Sequence, residues 1–484
     1  MKQKGILMPI ASLYSGFGIG DLGPEAYNFA DYLARGAYRY WQILPLNYCG
    51  YGNSPYNPIS SWAGYEYLIS PQLLFQDGLI TRDMLQEAMV DSEKPVIDYQ
   101  TVFTKKNKLH SYAASRFLNG FDIDAYISEN EIWIKPFLAF RLLTESYGHS
   151  KWYEWNDIHK RYSDKLFDHL TQDYEEQLKQ YAAIQYLFFS QFRRLKQFLK
   201  SRSIELIGDI PLYVSYESAD VWACPQNFRL DVDGSRLYVA GVPPDAFSET
   251  GQLWGNPIYN WDYLKLSNYQ WFRNRISHAL GLYDHLRLDH FIGIVNYWQI
   301  DGKSETAMGG TWIDAPGDEL LEFLVQDNGQ GKLIAEDLGI LTDKVCHIRD
   351  KYGLPGMIIL QFCFDNQIPQ TDSFPKNKII YTGTHDNNTT LGWYLDAMEN
   401  NPDRISNLAR YFVQQGQISK ETDLNQNNIC KLLIASALSS PCETAIIPMQ
   451  DILALDASSR TNIPGTALGN WQWRMHQSIT TILK

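Results

Sequence analysis

Eight short apolar segments, separated by segments of helical character, constrain the fold of this chain more than any other feature. Each is rich in Ile, Leu, Val or aromatic side chains, as buried strands are. The segments are GILMPI (5–10), YWQILPL (40–46), IELIGDIPLYV (204–214), HLRLDHF (285–291), KLIAEDLG (332–339), MIILQFCF (357–364), KIIYTGTHD (378–386) and TAIIPMQD (444–451). Strand–helix alternation repeated eight times predicts parallel strands and a closed (β/α)8 barrel of the α/β class.

The polar residues favour the barrel over a doubly wound open sheet, which is the alternative. Asp209, Asp289, Glu336, His385 and Asp386 all lie at the C-terminal ends of their segments. In a barrel these ends converge on one mouth, where active sites are built.

The connections between the predicted strands are unequal in length. Residues 72–200 separate the second and third segments, and residues 215–270 and 387–440 form further excursions. No linker rich in Pro, Gly or Ser interrupts residues 1–484. The sequence therefore predicts a single catalytic barrel with three inserted subdomains, the first of them helical.

Net charge, the lack of long apolar runs and the cysteine spacing limit the partners and the location that we expect for this protein. Lys and Arg number 42 against 55 Asp and Glu, so the net charge is −13, which disfavours nucleic acid as a partner. The N-terminus lacks the apolar region of a signal peptide, and no run of 18 apolar residues predicts a membrane span. Six cysteines without CxxC spacing fit reduced thiols, so we expect a cytoplasmic protein without a membrane partner.

Three carboxylates at strand ends, Asp289, Glu336 and Asp386, indicate the chemistry. Arg287 lies two residues before Asp289 and therefore on the same face of the strand, where it can keep that carboxylate ionised. Paired carboxylates cleave glycosidic bonds, one as nucleophile and one as proton donor. Spacing alone does not assign these roles. Asp337 faces the opposite way from Glu336 and is expected to cap the next helix.

Two other patterns suggest different chemistry and are weaker. GIGDLG (18–23) matches GxGxxG but does not follow its strand directly and lacks the later acidic residue, so no nucleotide cofactor is predicted. His285, His290 and His385 could indicate a metal, but neither HxH nor HExxH occurs. We predict no metal and no cofactor.

Two loops rich in aromatic and amide side chains suggest a sugar-binding surface. They are YGNSPYNPISSWAGYEY (51–67) and DAFSETGQLWGNPIYNW (245–261), and both follow predicted strand ends. Aromatic rings stack on sugars, and amides and hydroxyls bond to sugar hydroxyls. Turn chemistry alone would also explain the Asn-Pro and Gly-Asn-Pro sequences.

Taken in order, a set of motifs resembles glycoside hydrolase family 77, the 4-α-glucanotransferases of the amylomaltase type, from about residue 5 to 475. The motifs are LGPEAYNFADYLARGAYRYWQILPL, GYGNSPYNP, GDIPLYV, FSETGQLWGNPIYNW, LRLDHF, IAEDLG, GTHDNNT and NIPG. The resemblance implies a barrel related to α-amylases that transfers α-1,4-glucan segments by retaining double displacement, with maltooligosaccharides as partners. It implies neither an N-terminal starch-binding module nor the C-terminal β-sandwich and calcium site of amylases.

The resemblance also implies roles for individual residues. Asp289 in RLDHF corresponds to the nucleophile, Glu336 in IAEDLG to the general acid/base and Asp386 in THD to the transition-state stabiliser. Arg287 corresponds to the arginine that supports the nucleophile, and His385 lies beside the stabiliser.

Further residues are expected to contact substrate. Tyr56 and Asp209 correspond to the lining of the donor subsites, Trp254 to a flexible loop over the glucan, and Asn462 to the edge of the cleft. Ser54, Gln252 and His290 complete the expected contacts. His290 is secondary, because it alternates away from Asp289 unless the strand has already ended.

Three other functions remain open from the residues alone. An α-glucan hydrolase would use the same carboxylates. A catalytically silent glucan-binding module would use the same aromatic loops, and a metal-dependent hydrolase would use the histidines.

Overall fold

The computed structural model describes residues 2–90, 93–244, 249–365, 367–466 and 468–482. Twelve strands are formed there: β1 Gln3–Leu7, β2 Tyr40–Gln42, β3 Glu205–Ile210, β4 Tyr238–Val242, β5 Gln252–Pro257, β6 His285–Leu288, β7 Asn296–Asp301, β8 Thr311–Asp314, β9 Leu333–Ala335, β10 Gly356–Ile359, β11 Lys378–Tyr381 and β12 Thr444–Pro448.

The same residues form eighteen α-helices: α1 Pro24–Arg35, α2 Pro71–Gln76, α3 Arg82–Glu87, α4 Tyr99–Leu118, α5 Asp124–Glu129, α6 Glu131–Tyr147, α7 Asp164–Ser201, α8 Ala219–Ala223, α9 Trp261–Leu266, α10 Gln270–Leu282, α11 Gly317–Asn328, α12 Asp343–Lys351, α13 Leu360–Cys363, α14 Thr390–Asn400, α15 Pro402–Gln414, α16 Ile429–Ser439, α17 Met449–Ile452 and α18 Ile479–Ile482.

Eight of the strands form a parallel barrel, and each lies within or overlaps one of the eight apolar segments of the sequence. Their order is β10-β11-β12-β1-β2-β3-β6-β9. The ring closes between its two ends, where the N–H of Ala335 on β9 donates to the carbonyl of Pro355, next to β10, at 2.9 Å. The predicted (β/α)8 fold is confirmed, and the open-sheet alternative is wrong.

Strand β6 differs from the other seven barrel strands because it points an arginine, Arg287, into the barrel. Seven of the strands contribute to a buried apolar cluster that includes Leu7, Ile207 and Ile446. On β6, Leu286 and Leu288 instead pack in the larger core, so the alternate residue Arg287 faces inward. Arg287 thus places its charge inside the barrel, opposite Asp209 on β3.

The connection from β2 to β3 is helical and contains α2 to α7. Its apolar side chains, such as Phe137, Phe188 and Phe192, are buried in the same core as the outer faces of the strands. The division of the chain into one barrel with inserted subdomains at 72–200, 215–270 and 387–440 stays a prediction.

A second, antiparallel sheet stands at the C-terminal ends of the barrel strands. Its order is β5-β4-β7-β8, so it combines the connection that follows β3 with the connection that follows β6. Residues 245–248, part of the aromatic loop predicted to contact sugar, lie outside the described residues. Within the described ranges, no helix is long and apolar enough to cross a bilayer.

Candidate active site

Arg287 joins two carboxylates at the mouth of the barrel. Its Nη1 lies 2.7 Å from Asp209 Oδ2 and 2.9 Å from Asp289 Oδ1. Asp209 is its direct neighbour across the β3–β6 pairing, and Asp289 follows β6 immediately. Burial alone would lower the pKa of Arg287, but Asp209 and Asp289 raise it well above its ordinary value. The predicted contact between Arg287 and Asp289 is present, and the guanidinium stays charged beside them.

Asp209 is the buried member of this group. Its side chain is fully inaccessible, and Oδ2 accepts a hydrogen bond from the Tyr56 hydroxyl at 2.7 Å. Burial raises its pKa, an effect that Arg287 opposes. Ser54 positions Tyr56, because its Oγ accepts the backbone N–H of Tyr56 at 3.2 Å. Asp209 therefore holds both the Arg287 guanidinium and the Tyr56 hydroxyl in place through the same carboxylate oxygen.

Glu336 follows β9 directly, and two backbone groups hold its carboxyl. Oε2 accepts the N–H of His290 at 2.7 Å, and Oε1 accepts the N–H of Leu338 at 3.1 Å. Burial raises its pKa to about 8; Asp289 adds to this effect, while Arg287 and the two backbone bonds oppose it. At neutral pH the Glu336 carboxyl therefore keeps its proton, beside a carboxylate that Arg287 holds.

His290 adopts a left-handed backbone conformation, with φ 51° and ψ 50°. The strand has ended at Leu288, so alternation no longer decides which way His290 points. The turn aims its N–H at Glu336, and its ring lies 4.8 Å from the ring of Trp254 in an edge-to-face contact. Burial lowers the pKa of His290 to about 4, so the imidazole is neutral.

Asp386 lies on the loop after β11 and is held by Asn462. Asn462 Nδ2 donates to Asp386 Oδ1 at 2.6 Å, and the Asn462 N–H donates to the His385 carbonyl at 3.1 Å. His385 Nε2 lies 3.3 Å from Asp386 Oδ2. The His385 ring stacks on Tyr56 at 5.1 Å, which joins this loop to the Asp209 side of the mouth.

Trp254 and Gln252 lie together on β5 of the small sheet. Trp254 Nε1 donates to Gln252 Oε1 at 3.2 Å, and 37% of Trp254 is exposed. Trp254 is thus an exposed ring beside His290, at the edge of the same mouth.

Three residues that the sequence reasoning did not single out also belong here. Trp471 lies 5.6 Å from the Tyr56 ring and 6.0 Å from the His385 ring. Arg460 donates to the Asp386 carbonyl at 3.0 Å. Asp451 accepts both the N–H and the Oγ1 hydroxyl of Thr390 at 2.7 Å, and so fixes the loop that bears Asp386. Asp451 ends the last predicted strand segment, so the strand-end rule could have found it; nothing local to Trp471 or Arg460 signals their place.

The helix-capping role predicted for Asp337 is wrong. Its carboxylate is buried and bonds Arg349, Lys378 and the N–H of Met357, whereas Thr342 caps the following helix. Among the residues that the structure describes, no cluster of three or more His, Cys, Asp or Glu could hold a metal ion.

A (β/α)8 barrel whose mouth pairs an arginine-held carboxylate with a protonated carboxyl group defines the class of enzymes that act on glycosidic bonds. A model of one family of that class, described as 4-alpha-glucanotransferase, matches residues 8–480. The chain therefore belongs to the 4-alpha-glucanotransferases of glycoside hydrolase family 77.

Relatives and solved structures agree over nearly the whole chain. A 4-alpha-glucanotransferase from Streptococcus pneumoniae is 37% identical over 99% of this chain and 94% of its own. A 4-alpha-glucanotransferase from Aquifex aeolicus is also 37% identical, over 99% of this chain and 96% of its own. The amylomaltase from Streptococcus agalactiae in complex with acarbose superposes with a TM-score of 0.91 and 36% identity, covering 98% of this chain and 95% of that one.

Proposed function

We propose that this enzyme moves an α-1,4-glucan segment from a donor to an acceptor by double displacement, beginning with attack by Asp289. The Asp289 carboxylate bonds to C1 of the donor glucose, while Glu336 gives its proton to the departing glycosidic oxygen. The released chain leaves with a new 4-OH. The observation that carries this assignment is the raised pKa of Glu336, about 8, next to a carboxylate paired with Arg287.

In the second step the acceptor replaces the donor fragment. Glu336, now a carboxylate, removes the proton from the acceptor 4-OH, and that oxygen attacks C1 as the bond to Asp289 breaks. Glu336 regains its proton and Asp289 its charge. Two inversions at C1 restore the α configuration.

Asp386 is proposed as the stabiliser of the flattened, positively charged sugar ring in the transition state of each step. Its position supports this role, because Asn462 and His385 hold the carboxylate while 42% of the side chain remains exposed to the mouth. Contacts that strengthen as charge develops lower the barrier.

The remaining contacts divide between the two sides of the cleavage point. We assign Tyr56, Ser54 and His385 to the donor side, where the Tyr56–His385 stack forms one wall. Asp209, whose side chain is inaccessible, supports this side through Tyr56 and does not itself contact the glucan. Trp254, Gln252 and His290 form the opposite wall, and Trp254 is proposed to cover the glucan and exclude water, which competes with the acceptor.

The proposed substrates are maltooligosaccharides and related α-1,4-glucans of starch or glycogen metabolism. Support comes from the relatives named 4-alpha-glucanotransferase and from the acarbose complex of the Streptococcus agalactiae amylomaltase. We also propose a cytoplasmic location without nucleic-acid or membrane partners, supported by the net charge of −13 and by six cysteines that form no disulfide.

Maltotriose as the only substrate tests the transfer reaction. A transferase yields glucose and a ladder of longer oligosaccharides, whereas a hydrolase yields only shorter products. Asp289→Asn should end turnover and keep oligosaccharide binding. A wild type that binds but never turns over would instead indicate a binding module, and loss of activity after exhaustive chelation would indicate a metal-dependent hydrolase.

A further inference from the structure

The barrel has one loosely joined position, the junction between β9 and β10, which are the two ends of its strand order. Among the described residues, no ladder pairs these two strands. The N–H of Ala335 instead donates to the carbonyl of Pro355, just before β10, at 2.9 Å. Glu336 follows β9 directly, so the proposed proton donor stands beside this junction.

Asp337, the residue after Glu336, bridges the junction with its carboxylate. Oδ1 accepts the N–H of Met357 on β10 at 2.7 Å. Oδ2 accepts Nη1 of Arg349 on α12 at 2.5 Å and Nζ of Lys378 on β11. The Asp337 side chain is fully inaccessible. One buried carboxylate thus ties the segment after β9 to two further strands and to the helix packed outside them.

The space for this carboxylate depends on a glycine. A Cβ on Gly356, the first residue of β10, would lie 2.2 Å from Asp337 Oδ2 and 2.3 Å from Lys378 Nζ. Side-chain carbons do not approach oxygen or nitrogen this closely, so an alanine at this position would displace the carboxylate. Gly356 has no positive φ, and the close approach alone accounts for the glycine.

The backbone of Asp337 connects this network to the carboxyl group of Glu336. On the β6 side, the N–H of Glu336 donates to the Leu288 carbonyl and its carbonyl accepts the N–H of Phe291, both at 3.1 Å. On the other side, the N–H of Leu338 donates to Glu336 Oε1 at 3.1 Å. Leu338 comes directly after Asp337, so the direction of this N–H depends on the backbone that the network holds.

Stability alone is a poor reason for such a network. Burying charges costs about as much as their attraction returns, and apolar side chains would hold α12 on the barrel as well. Apolar side chains cannot accept the N–H of Met357 or fix a direction, whereas a carboxylate with three donors does both. The network therefore supplies orientation at the residue next to the proposed acid.

We propose that Asp337 is a positioning residue for Glu336: its bonds across the β9–β10 junction fix the Leu338 N–H that aims the Glu336 carboxyl group at the departing glycosidic oxygen. This inference rests on the proposed role of Glu336 as proton donor. Asp337 itself does not touch the glucan, because its side chain is inaccessible. Asp289 is held separately by Arg287, so loss of the network leaves the nucleophile in place.

Two substrates that differ in their need for a proton test this role. Maltotriose needs one on its leaving oxygen, whereas α-maltotriosyl fluoride does not, and its initial burst of fluoride reports the first step alone. In both Asp337→Asn and Gly356→Ala, we expect maltotriose turnover to fall by about tenfold to a hundredfold, the usual effect of a misplaced catalytic group. The rate of the fluoride burst should stay within about threefold of the wild type, because that step needs no acid. Gly356→Ala retains every charge, so it tests the geometry alone and replaces Asp337→Asn if that variant does not fold.

Asp284→Asn is the matched control. Asp284 also joins a strand to a helix, through the N–H of Leu206 on β3 at 2.8 Å and Nζ of Lys196 on α7 at 2.7 Å. It precedes β6 and so lies at the opposite end of the barrel from Glu336. This variant should change the two rates by the same factor.

Equal slowing of both substrates in Asp337→Asn and Gly356→Ala would mean that the network only supports the fold, and unchanged maltotriose turnover would mean that it positions nothing; either result overturns the inference. Glu336→Gln, measured with the same two substrates, separates this failure from failure of the proposed reaction. If Glu336→Gln loses maltotriose turnover and keeps the fluoride burst while Gly356→Ala does not, the positioning role alone is wrong. If Glu336→Gln shows no such difference, Glu336 is not the proton donor and the proposed reaction is wrong.

Discussion

At the scale of single residues, Arg287 lies between Asp209 and Asp289 with only 4% of its side chain exposed. Arg287→Met would leave Asp209 buried without its cation. We expect a loss of about 3–5 kcal/mol in the free energy of unfolding, the usual result of breaking a buried pair from one side. Urea unfolding of the purified variant measures this loss.

Arg39→Met is the matched control for that change. Arg39 also pairs with a carboxylate, Glu205, but 47% of its side chain is exposed. Surface pairs contribute about 0–1 kcal/mol. Equal losses in the two variants would show that Arg287 does not carry a buried charge network.

The raised pKa of Glu336 leads to a prediction about pH. Its value of about 8 means that the proton donor is present below pH 8 and lost above it. We therefore expect kcat/KM for maltotriose to fall above about pH 8. In Glu336→Gln, an activated substrate such as a glucosyl fluoride, whose leaving group needs no proton, should restore the first step. A rate that stays level to pH 10 in the wild type contradicts the assignment.

The same shift affects stability. The folded protein keeps the Glu336 proton up to about pH 8, whereas the unfolded chain releases it near 4.5. Stability is therefore lost as pH rises from 4.5 to 8. Glu336→Gln has no proton to lose, so its Tm advantage over the wild type should grow across this interval and then level off; calorimetry at a series of pH values measures it.

Whether the sequence could predict the place of a residue in the site depends on how far along the chain its contact partners lie. Arg287 and Asp289 are two residues apart on one strand, so strand geometry alone predicts that they face the same way. Asn462 and Trp471 contact residues that lie about 80 and 400 positions earlier, and only the folded chain brings them together. For Asn462 the family motif supplied what local pattern could not.

At the scale of elements, the small sheet brings Trp254 to the mouth. If Trp254 excludes water from the intermediate, Trp254→Ala should increase the ratio of hydrolysis to transfer by about two- to tenfold, the change that corresponds to an aromatic contact of about 0.5–1.5 kcal/mol. Release of glucose from maltotriose without matching longer products measures the ratio.

Trp312→Ala provides the control for the sheet itself. Trp312 lies on β8 of the same sheet and is 47% exposed, but its ring contact is with Trp298 rather than with His290. An equal rise in hydrolysis in both variants would mean that the sheet matters only as a support.

The eight barrel strands were predictable because burial on both faces leaves continuous apolar runs. The small sheet was not, since its outer strands β5 and β8 are largely exposed and carry polar residues: β8 reads TWID and has no buried position. Its pairing also joins residues about 60 positions apart, on β4 and β7, and local patterns carry no signal of that partnership.

At the scale of the whole molecule, the C-terminal segment ties the barrel to the helical connection. The N–H of Ile97 donates to Gln472 and that of Arg474 to Pro95, while the Ser12 hydroxyl donates to Trp473. Trp473 and Met475 are 5% and 3% exposed. Trp473 and Met475 therefore belong to the common core.

Removal of residues 472–484 should accordingly lower the Tm and expose the helical connection to protease. Loss of two buried side chains of this size costs about 5 kcal/mol or more by the usual large-to-small values. A chain shortened only after His476 keeps both and is the control. Calorimetry and limited proteolysis measure the effect, and indistinguishable melting of the two shortened chains contradicts it.

In the mechanism that we propose, the position of Arg287 beside Asp289 also bears on the order of the proton transfers. While Asp289 is an anion, it helps to hold the proton on Glu336. Once Asp289 forms an ester with the sugar, that negative neighbour is gone, but Arg287 remains and now lowers the pKa of Glu336 without opposition from Asp289. In that mechanism, formation of the covalent bond favours the change of Glu336 from acid to base, and its reversal resets the site for the next substrate.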